Sequence, residues 1–204
     1  MLPSSAEAAR FFRGAWRLFR FDREGFAHFG NTIDAFWQSF WCAVYVAPLW
    51  AMGLILRGAR RSDVAPGASP DDLDRLADAL PRIVAVETIA YVAAWFAFPL
   101  AMAYIVRLLG REDRYFGYFA AYNWTIAPQV ALTVVAALLL ATGLFPGALG
   151  TMIDLAAMGY GFGVLWFLAR HGLDLPPGTA ALVVAIDVLL NQLVFGIGWL
   201  ILRG

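Results

Sequence analysis

The chain contains no lysine and few charged residues of any kind, although it is 204 residues long. Charged side chains make up 15% of it, against about a quarter in typical soluble domains. Positive and negative charges balance to a formal net charge of zero. No overall positive field therefore favours nucleic acid as a partner. Because every basic residue is arginine, the composition is typical of a GC-rich genome and suggests a bacterial source.

Cysteine, histidine and catalytic motifs are equally scarce. Cys42 is the single cysteine, so a disulfide framework and a multi-cysteine metal site are excluded, and its apolar surroundings indicate a packing residue. His28 and His171 lie far apart, without metal-ligand spacing. Signatures of serine hydrolases, zinc proteases, kinases, deaminases and phosphate-binding loops are missing, as is the Gly-x-Gly-Asp context of intramembrane aspartyl proteases. The sequence predicts a non-enzymatic protein that uses no cofactor and no metal.

Apolar residues are abundant instead, at 61% of the chain with a mean hydropathy of +0.68. They form long blocks, and a helix of about 20 such residues crosses the hydrocarbon core of a bilayer. We therefore predict an all-α, polytopic transmembrane helical bundle over residues 35–204. The five predicted spans are residues 35–56, 83–106, 118–145, 148–169 and 179–202. Prolines inside three of these blocks leave two alternatives: four spans with a re-entrant segment, or six spans if a kinked block is two halves.

Residues 1–34 form a separate N-terminal segment that is basic and aromatic. It lacks the early apolar run of a secretory signal peptide. At helical spacing one face carries four arginines and another carries three aromatic residues. The arginines are Arg10, Arg13, Arg17 and Arg20, and the aromatic residues are Phe12, Trp16 and Phe19. This pattern predicts an amphipathic helix that lies in the headgroup plane of the membrane, as an anchor or as a partner-binding helix.

The largest polar stretch, residues 57–82, follows the first predicted span. Its first half is rich in Gly, Ala, Pro and Ser and is typical of a loop. The stretch "SPDD" then predicts a helix start, with Ser69 as N-cap and Pro70 in the first turn. We expect a short surface helix that leads into the second span.

The arginine distribution favours a cytoplasmic N-terminus. With this orientation the inner side of the membrane holds nine arginines and the outer side holds six. We expect the chain to lie in a bacterial inner membrane with the lipid bilayer around it, either with a membrane-protein partner or as a homo-oligomer.

Polar side chains interrupt the apolar spans. Asp187 and Asn191 are four residues apart in "AIDVLLNQLVF" and share one helical face. An Asp near mid-membrane costs about 2.5–3.5 kcal/mol, so we expect Asp187 to be protonated and hydrogen-bonded to a neighbouring amide or carbonyl. Asp154, Glu87 and Asn123 lie in other spans. Two interpretations stay open: these side chains line a proton or cation pathway, or they hold helices together through hydrogen bonds.

In the fourth span, "GYGFG" spaces Gly159 and Gly163 four residues apart. This spacing lets two helix backbones approach closely, within one molecule or between two copies.

The polar N-terminal segment, the clustered spans and the stretches "AAYNWTIAP" and "MGYGFGVLW" resemble the Yip1-like family of small membrane proteins. "FGNTIDAFW" stands near the place where eukaryotic members carry a "DLYGP"-type signature. The resemblance implies five clustered helices behind a cytosolic segment, and a membrane scaffold or adaptor without catalytic residues. The alternative function is a small proton- or cation-coupled transporter or channel component that uses the intramembrane carboxylates.

Overall fold

The computed structural model describes residues 2–61 and 70–203, and these residues form helices and connecting turns without any β-strand. Short 3₁₀ helices cover Arg23–His28 and Glu112–Arg114. The α-helices are α1 (Ser5–Phe19), α2 (Ile33–Ser39), α3 (Trp41–Arg61), α4 (Pro70–Leu108), α5 (Tyr115–Ala141), α6 (Ala148–Gly172) and α7 (Pro177–Arg203).

Four of the described helical segments are long and apolar enough to cross a membrane, which makes this an integral membrane protein. They are Leu80–Leu108, Glu112–Ala141, Ala148–Gly172 and Pro177–Leu202. Helix α3 packs along α5, α4 packs along α7, and α6 contacts both α5 and α7. The predicted helical bundle is confirmed. Only six residues separate α5 from α6, so these two helices form a tight hairpin.

The first predicted span, 35–56, is divided between two helices. Helix α2 begins behind Thr32, whose hydroxyl accepts a hydrogen bond from the Ala35 amide at 3.2 Å, and it ends at Ser39. A turn at Phe40 separates it from α3. The sequence did not predict this break, because aromatic and other apolar residues lie on both sides of it.

Helix α4 is one continuous helix of 39 residues with Pro81 and Pro99 inside it. The sequence predicted a loop in the first half of 57–82 and then a short surface helix that leads into the second span. The structure continues α3 to Arg61, and the helix that begins at Pro70, where the sequence predicted a helix start, runs without a break into the second span. Prolines in membrane helices are tolerated where neighbouring groups satisfy the freed backbone. The predicted N-cap, Ser69, lies outside the described residues.

Pro128 in α5 shows how such a backbone group is satisfied. Proline has no amide hydrogen, so the carbonyl four residues earlier, that of Trp124, loses its helical donor. The Cys42 thiol lies 3.9 Å from this carbonyl oxygen and donates to it. Cys42 is fully buried between α3 and α5, so the lone cysteine has a structural contact in addition to the predicted packing.

Helix α1 begins with a reciprocal cap between Ser4 and Glu7. The Ser4 amide donates to the Glu7 carboxylate at 2.8 Å, and this hydrogen bond is the main reason that the pKa of the Glu7 carboxyl is lowered. One face of α1 is buried against α5 and against the 3₁₀ helix Arg23–His28. The residues of this face are Ala8, Phe11, Gly14, Ala15, Leu18 and Phe19. The predicted aromatic face is therefore split, because Phe19 is buried while Phe12 and Trp16 are 38% and 54% exposed.

Two glycines allow α1 to pack against the following 3₁₀ helix. A Cβ on Gly14 would lie 2.6 Å from the His28 Cβ, and one on Gly25 would lie 2.6 Å from the Leu18 Cγ. The chain reverses between these elements at Phe21, which has a positive φ of 62°. The N-terminal segment is therefore a compact helical hairpin that rests on the bundle.

Candidate intramembrane polar site

Asp187 lies on α7 and is 3% exposed. The Tyr122 hydroxyl on α5 donates to its Oδ2 at 2.7 Å. The Asn191 amide donates to its Oδ1 at 2.8 Å and to its backbone carbonyl at 3.0 Å. Each carboxyl oxygen therefore has a protein donor, and the carboxyl group joins α5 to α7.

The sequence predicted one of these partners and missed the other. Asn191 follows from its i+4 spacing on the same helix. Tyr122 lies 65 residues away in the chain, so only the tertiary arrangement of α5 and α7, which both pack on α6, brings it to Asp187. Its position beside Asn123 in "AAYNW" was a signal, because a phenol in an apolar span also needs a hydrogen-bond partner.

A second buried polar pair lies one residue further along α5. Asn123 is 1% exposed, and its Nδ2 donates to the Ser39 hydroxyl at 2.8 Å. That hydroxyl in turn donates to the Phe36 carbonyl at 2.6 Å. Within the described part of the chain, the Asn123 Oδ1 is buried without a hydrogen-bond partner. This pair anchors α2 to α5 and leaves one acceptor unused.

A cavity of about 130 Å³ lies between these polar groups and the helices α3, α4, α5 and α7. We call it the intramembrane cavity. Its described lining is Val46, Trp50, Tyr91, Ala94, Trp95, Tyr122, Asn123, Ile126, Val130, Asn191 and Phe195. Several of these side chains are half-buried, so the cavity opens partly to the surface of the bundle.

The structure brings together only some of the predicted site residues. Asn123 and Asn191 line the intramembrane cavity, and Asp187 lies directly behind Tyr122 and Asn191. Asp154 lies on an exposed position of α6, and Glu87 is half-buried on α4. Neither is among the described residues that line the cavity, so the predicted carboxylates do not form one continuous row.

Among the described residues, the predicted glycine pair on α6 does not face a second helix. A Cβ on Gly159 would meet none of their atoms within 4 Å, and one on Gly163 would meet the Phe21 ring at 3.5 Å. Gly163 thus accommodates the N-terminal segment, while Gly159 faces open space.

The predicted arginine face of α1 points away from the bundle. Arg10, Arg13 and Arg20 are exposed, and the Arg10 guanidinium lies 5.0 Å from the centre of the Phe11 ring. Arg17 is half-buried, pairs with Asp22 at 2.6 Å and also contacts Glu24. The hydrogen bond from Arg17 is the main reason that the pKa of the Asp22 carboxyl lies below its usual range.

A second, larger cavity lies at the end of the bundle where α5 begins and α6 ends, beneath the N-terminal segment. It measures about 600 Å³, and we call it the polar basin. Its described lining is Arg23, Phe26, Phe29, Asn31, Asp113, Arg114, Gly117, Tyr118, His171, Gly172 and Asp174. Charges of both signs meet here, with Arg114 and Asp174 3.7 Å apart.

Asn31 fixes the N-terminal segment to the edge of the basin. Its Nδ2 donates to the Asp113 carbonyl at 2.6 Å, and its Oδ1 accepts from the Gly117 amide at 2.7 Å. Gly117 lies in the first turn of α5, whose amides have no partner within the helix. Asn31 therefore caps α5 from outside the helix.

Residues 2–61 and 70–203 contain no group of three His, Cys, Asp or Glu side chains placed to hold a metal ion. Comparison of the chain with protein-family models, curated proteins and solved structures gave no match.

Proposed function

We propose that this chain is a non-enzymatic membrane scaffold of the Yip1-like type, and that it binds a polar segment of a partner protein in the polar basin. The observation that carries this proposal is the basin itself. It is a cavity of about 600 Å³ at one end of an apolar bundle, with arginine, aspartate and histidine side chains on its walls. Lipid chains do not complement such a surface, whereas a protein segment with charges of both signs does.

The polar basin is lined by residues from two parts of the chain, and a scaffold would fix the position of one part relative to the other. Arg23, Phe26 and Phe29 come from the N-terminal segment, while Arg114 and His171 come from the bundle. Asn31 joins these parts through two hydrogen bonds, and the Tyr160 hydroxyl adds a third to the Phe19 carbonyl at 2.7 Å. A preorganised site loses little conformational entropy when a partner binds.

The proposal also includes the number of membrane spans, the position of α1 and the orientation of the chain in the membrane. We take α3 as a fifth span, because it packs along α5 and most of it is apolar. We place α1 at the membrane surface, with Trp16 toward the acyl boundary and its arginines toward the headgroups, while Phe12 packs on Tyr45 and Trp124 of the bundle. The basin then faces the cytoplasm, since arginines favour the inner side, and the membrane is a bacterial inner membrane.

The test is affinity purification of the tagged full chain from its native membranes in mild detergent, followed by mass spectrometry. The variant Arg114→Glu reverses a charge in the basin. Arg107→Glu makes the same change at an exposed position at the same end of the bundle but outside the basin. We expect a stoichiometric partner that is retained by Arg107→Glu and lost with Arg114→Glu.

Two results would contradict the scaffold proposal. One is purification of the protein alone or as a homo-oligomer. The other is a partner that both variants retain equally, because binding would then not use the basin.

A second function, a small proton- or cation-coupled transporter component, is supported by Asp187. This buried carboxyl is one hydrogen bond away from Tyr122, which lines the intramembrane cavity. If Asp187 carries protons, Asp187→Asn abolishes pH-driven flux in proteoliposomes while the protein still folds. The matched control is Asp154→Asn at an exposed position of α6, which would leave the flux unchanged. Equal flux in wild type and Asp187→Asn rules out this function.

A further inference from the structure

An apolar groove of about 380 Å³ runs between α5 and α6 on the surface of the bundle. On α5 its described lining begins at Leu132 and ends at Leu139. On α6 it begins at Ile153 and ends at Tyr160. Each wall is seven residue steps long, or about 10 Å at about 1.5 Å per residue. Phe19 of α1 lies at the Tyr160 end, where the two ring centres are 4.9 Å apart.

The walls of the groove offer hydrocarbon to a ligand. In the described lining only Tyr160 carries a polar side-chain group, and its hydroxyl already donates to the Phe19 carbonyl at 2.7 Å. The other described lining residues are alanine, valine, leucine, isoleucine and phenylalanine. Both walls belong to segments that are long and apolar enough to cross a membrane. An apolar chain therefore fits the groove.

The Tyr160 end of the groove carries positive charge. Phe19 and Phe21 both contact the Tyr160 ring, and Arg20 lies between them in the chain. The Arg20 side chain is exposed, so its guanidinium is accessible at this end of the groove. Arg13 is also exposed, and it lies seven residues, or about two helical turns, before Arg20 on the same side of α1.

Both arginines are available to an anionic ligand. Neither forms a salt bridge with residues 2–61 or 70–203, whereas Arg17 on the same helix pairs with Asp22 at 2.6 Å. Trp16 is 54% exposed and stacks on Phe19 with the ring centres 5.6 Å apart. Tryptophan is enriched at the level of the lipid headgroups. The end of the groove at α1 therefore matches a headgroup, and the walls match an acyl chain.

A lipid accounts for both features of the groove, the apolar walls and the charged end. A helix from a second copy of the chain could cover the walls, but it would leave the two arginines without a partner. Helices in lipid also gain no hydrophobic driving force when they associate, because acyl chains are as apolar as leucine. The two features together favour a phospholipid over a second helix.

We propose that this groove binds one acyl chain of an anionic phospholipid, with Arg20 and Arg13 donating to the headgroup phosphate. Arginine forms bidentate hydrogen bonds with phosphate, which are among the stronger hydrogen bonds in proteins. The groove covers about 10 Å of the acyl chain, or about two thirds of one leaflet of a hydrocarbon core about 30 Å thick. The inference rests on the placement of α1 at the membrane surface proposed above, and it needs no partner in the polar basin.

The experiment uses the full chain in phosphatidylcholine nanodiscs and two photoreactive probes at the same low content. One probe is phosphatidylglycerol with a diazirine at the end of an acyl chain, and the other is phosphatidylcholine with the same acyl chain. Labelled peptides are mapped by mass spectrometry. We expect the phosphatidylglycerol probe to label the two walls of the groove several times more than the phosphatidylcholine probe, and unlabelled phosphatidylglycerol to reduce this labelling.

Two charge variants on α1 test the headgroup contact. Arg20→Gln removes a guanidinium at the end of the groove. Arg10→Gln removes the same charge from an exposed position about 15 Å away along α1. We expect Arg20→Gln to lower the preference for phosphatidylglycerol over phosphatidylcholine about fivefold. Arg10→Gln should leave this preference nearly unchanged.

Two further variants test the acyl-chain contact. Ala156 lines the groove and is exposed, so Ala156→Phe should fill the groove and remove the labelling of its walls by phosphatidylglycerol. Ala93 is exposed on α4, outside the groove. Ala93→Phe therefore adds the same ring elsewhere on the bundle and should retain the labelling.

The wild-type comparison of the two probes decides the proposal even if a variant fails to fold. Equal labelling by the two probes overturns it, because the groove would then accept any acyl chain. Equal effects of Arg20→Gln and Arg10→Gln also overturn it, because the attraction would then come from the whole basic surface of α1. Absence of labelling in the groove overturns it as well. The partner test with Arg114→Glu is independent, since Arg114 does not line the groove, so either proposal can fail without the other.

Discussion

The Tyr122 hydroxyl donates to Asp187 across 2.7 Å and joins α5 to α7. Both residues are at most 7% exposed, so water does not replace this contact. The link explains how the bundle contains a carboxyl group in an apolar span: two donors from the protein provide the solvation that lipid cannot.

Replacing Asp187 separates its structural role from a chemical one. Asp187→Leu leaves the donors of Tyr122 and Asn191 without acceptors, so we expect the free energy of unfolding to fall by about 1–3 kcal/mol. Asp187→Asn keeps a carbonyl acceptor and should cost much less. Reversible unfolding in mixed micelles measures both changes. A Leu variant that is more stable than wild type would show that the carboxyl is not retained for stability.

The contact of α1 with the 3₁₀ helix depends on Gly25. A Cβ there would lie 2.6 Å from Leu18 Cγ and 2.7 Å from the Gly14 carbonyl oxygen. Because backbone cannot move away cheaply, Gly25→Ala should destabilise the N-terminal hairpin by about 1–3 kcal/mol and expose it to protease. Gly178→Ala is the control, since a Cβ at Gly178 meets open space. Equal protease resistance of the two variants would contradict the close approach at Gly25.

Asn31 should stabilise the first turn of α5. Asn31→Ala removes the acceptor of the Gly117 amide and the donor to the Asp113 carbonyl, and the loss of a helix cap costs about 0.5–2 kcal/mol. Asn31→Asp retains the acceptor and adds a negative charge near the helix N-terminus, which is favourable. Thermal unfolding in nanodiscs should therefore rank wild type and Asn31→Asp above Asn31→Ala. The reverse order would argue against capping.

A substitution at Gly159 tests whether the glycine pair forms a contact between two copies of the chain. Since a Cβ at Gly159 meets no atom of residues 2–61 and 70–203 within 4 Å, Gly159→Leu should leave the fold of the single chain intact. If two copies pack through this face, light scattering in detergent will show a dimer for wild type and a monomer for the variant. An unchanged mass for both would remove the intermolecular role of the pair.

The ion pair of Arg17 with Asp22 should make the N-terminal hairpin sensitive to acid. Arg17 lowers the pKa of the Asp22 carboxyl below its ordinary value of 3.8. The folded state thus favours ionised Asp22, and this contribution is present above pH 3.8 and is lost as the pH falls through the lowered pKa. Hydrogen exchange of the hairpin should accelerate there in wild type. Arg17→Gln should exchange faster already at neutral pH and show a smaller acid response.

Much of the architecture follows from the sequence because hydrophobic length and helix period are local properties. The last three predicted spans coincide closely with α5, α6 and α7. Local sequence properties did not predict the break at Phe40 or the continuous helix α4. The end of α2 before Phe40 is held by the hydrogen bond of Ser39 with Asn123, and these two residues lie on different helices. Helix α4 runs through two prolines that local rules treat as helix ends.

In the polar site, too, some contacts follow from the sequence and others only from tertiary packing. Sequence spacing on one helix placed Asn191 next to Asp187, since residues four apart share a face. Tertiary packing alone decided that Tyr122 completes the pair, that the Asn123 Oδ1 is buried without a partner among the described residues, and that Asp154 lies elsewhere. The sequence determined that buried carboxylates and amides need partners, and only the packing of α3, α4, α5 and α7 decided which groups meet, because those contacts join residues that are distant in the chain.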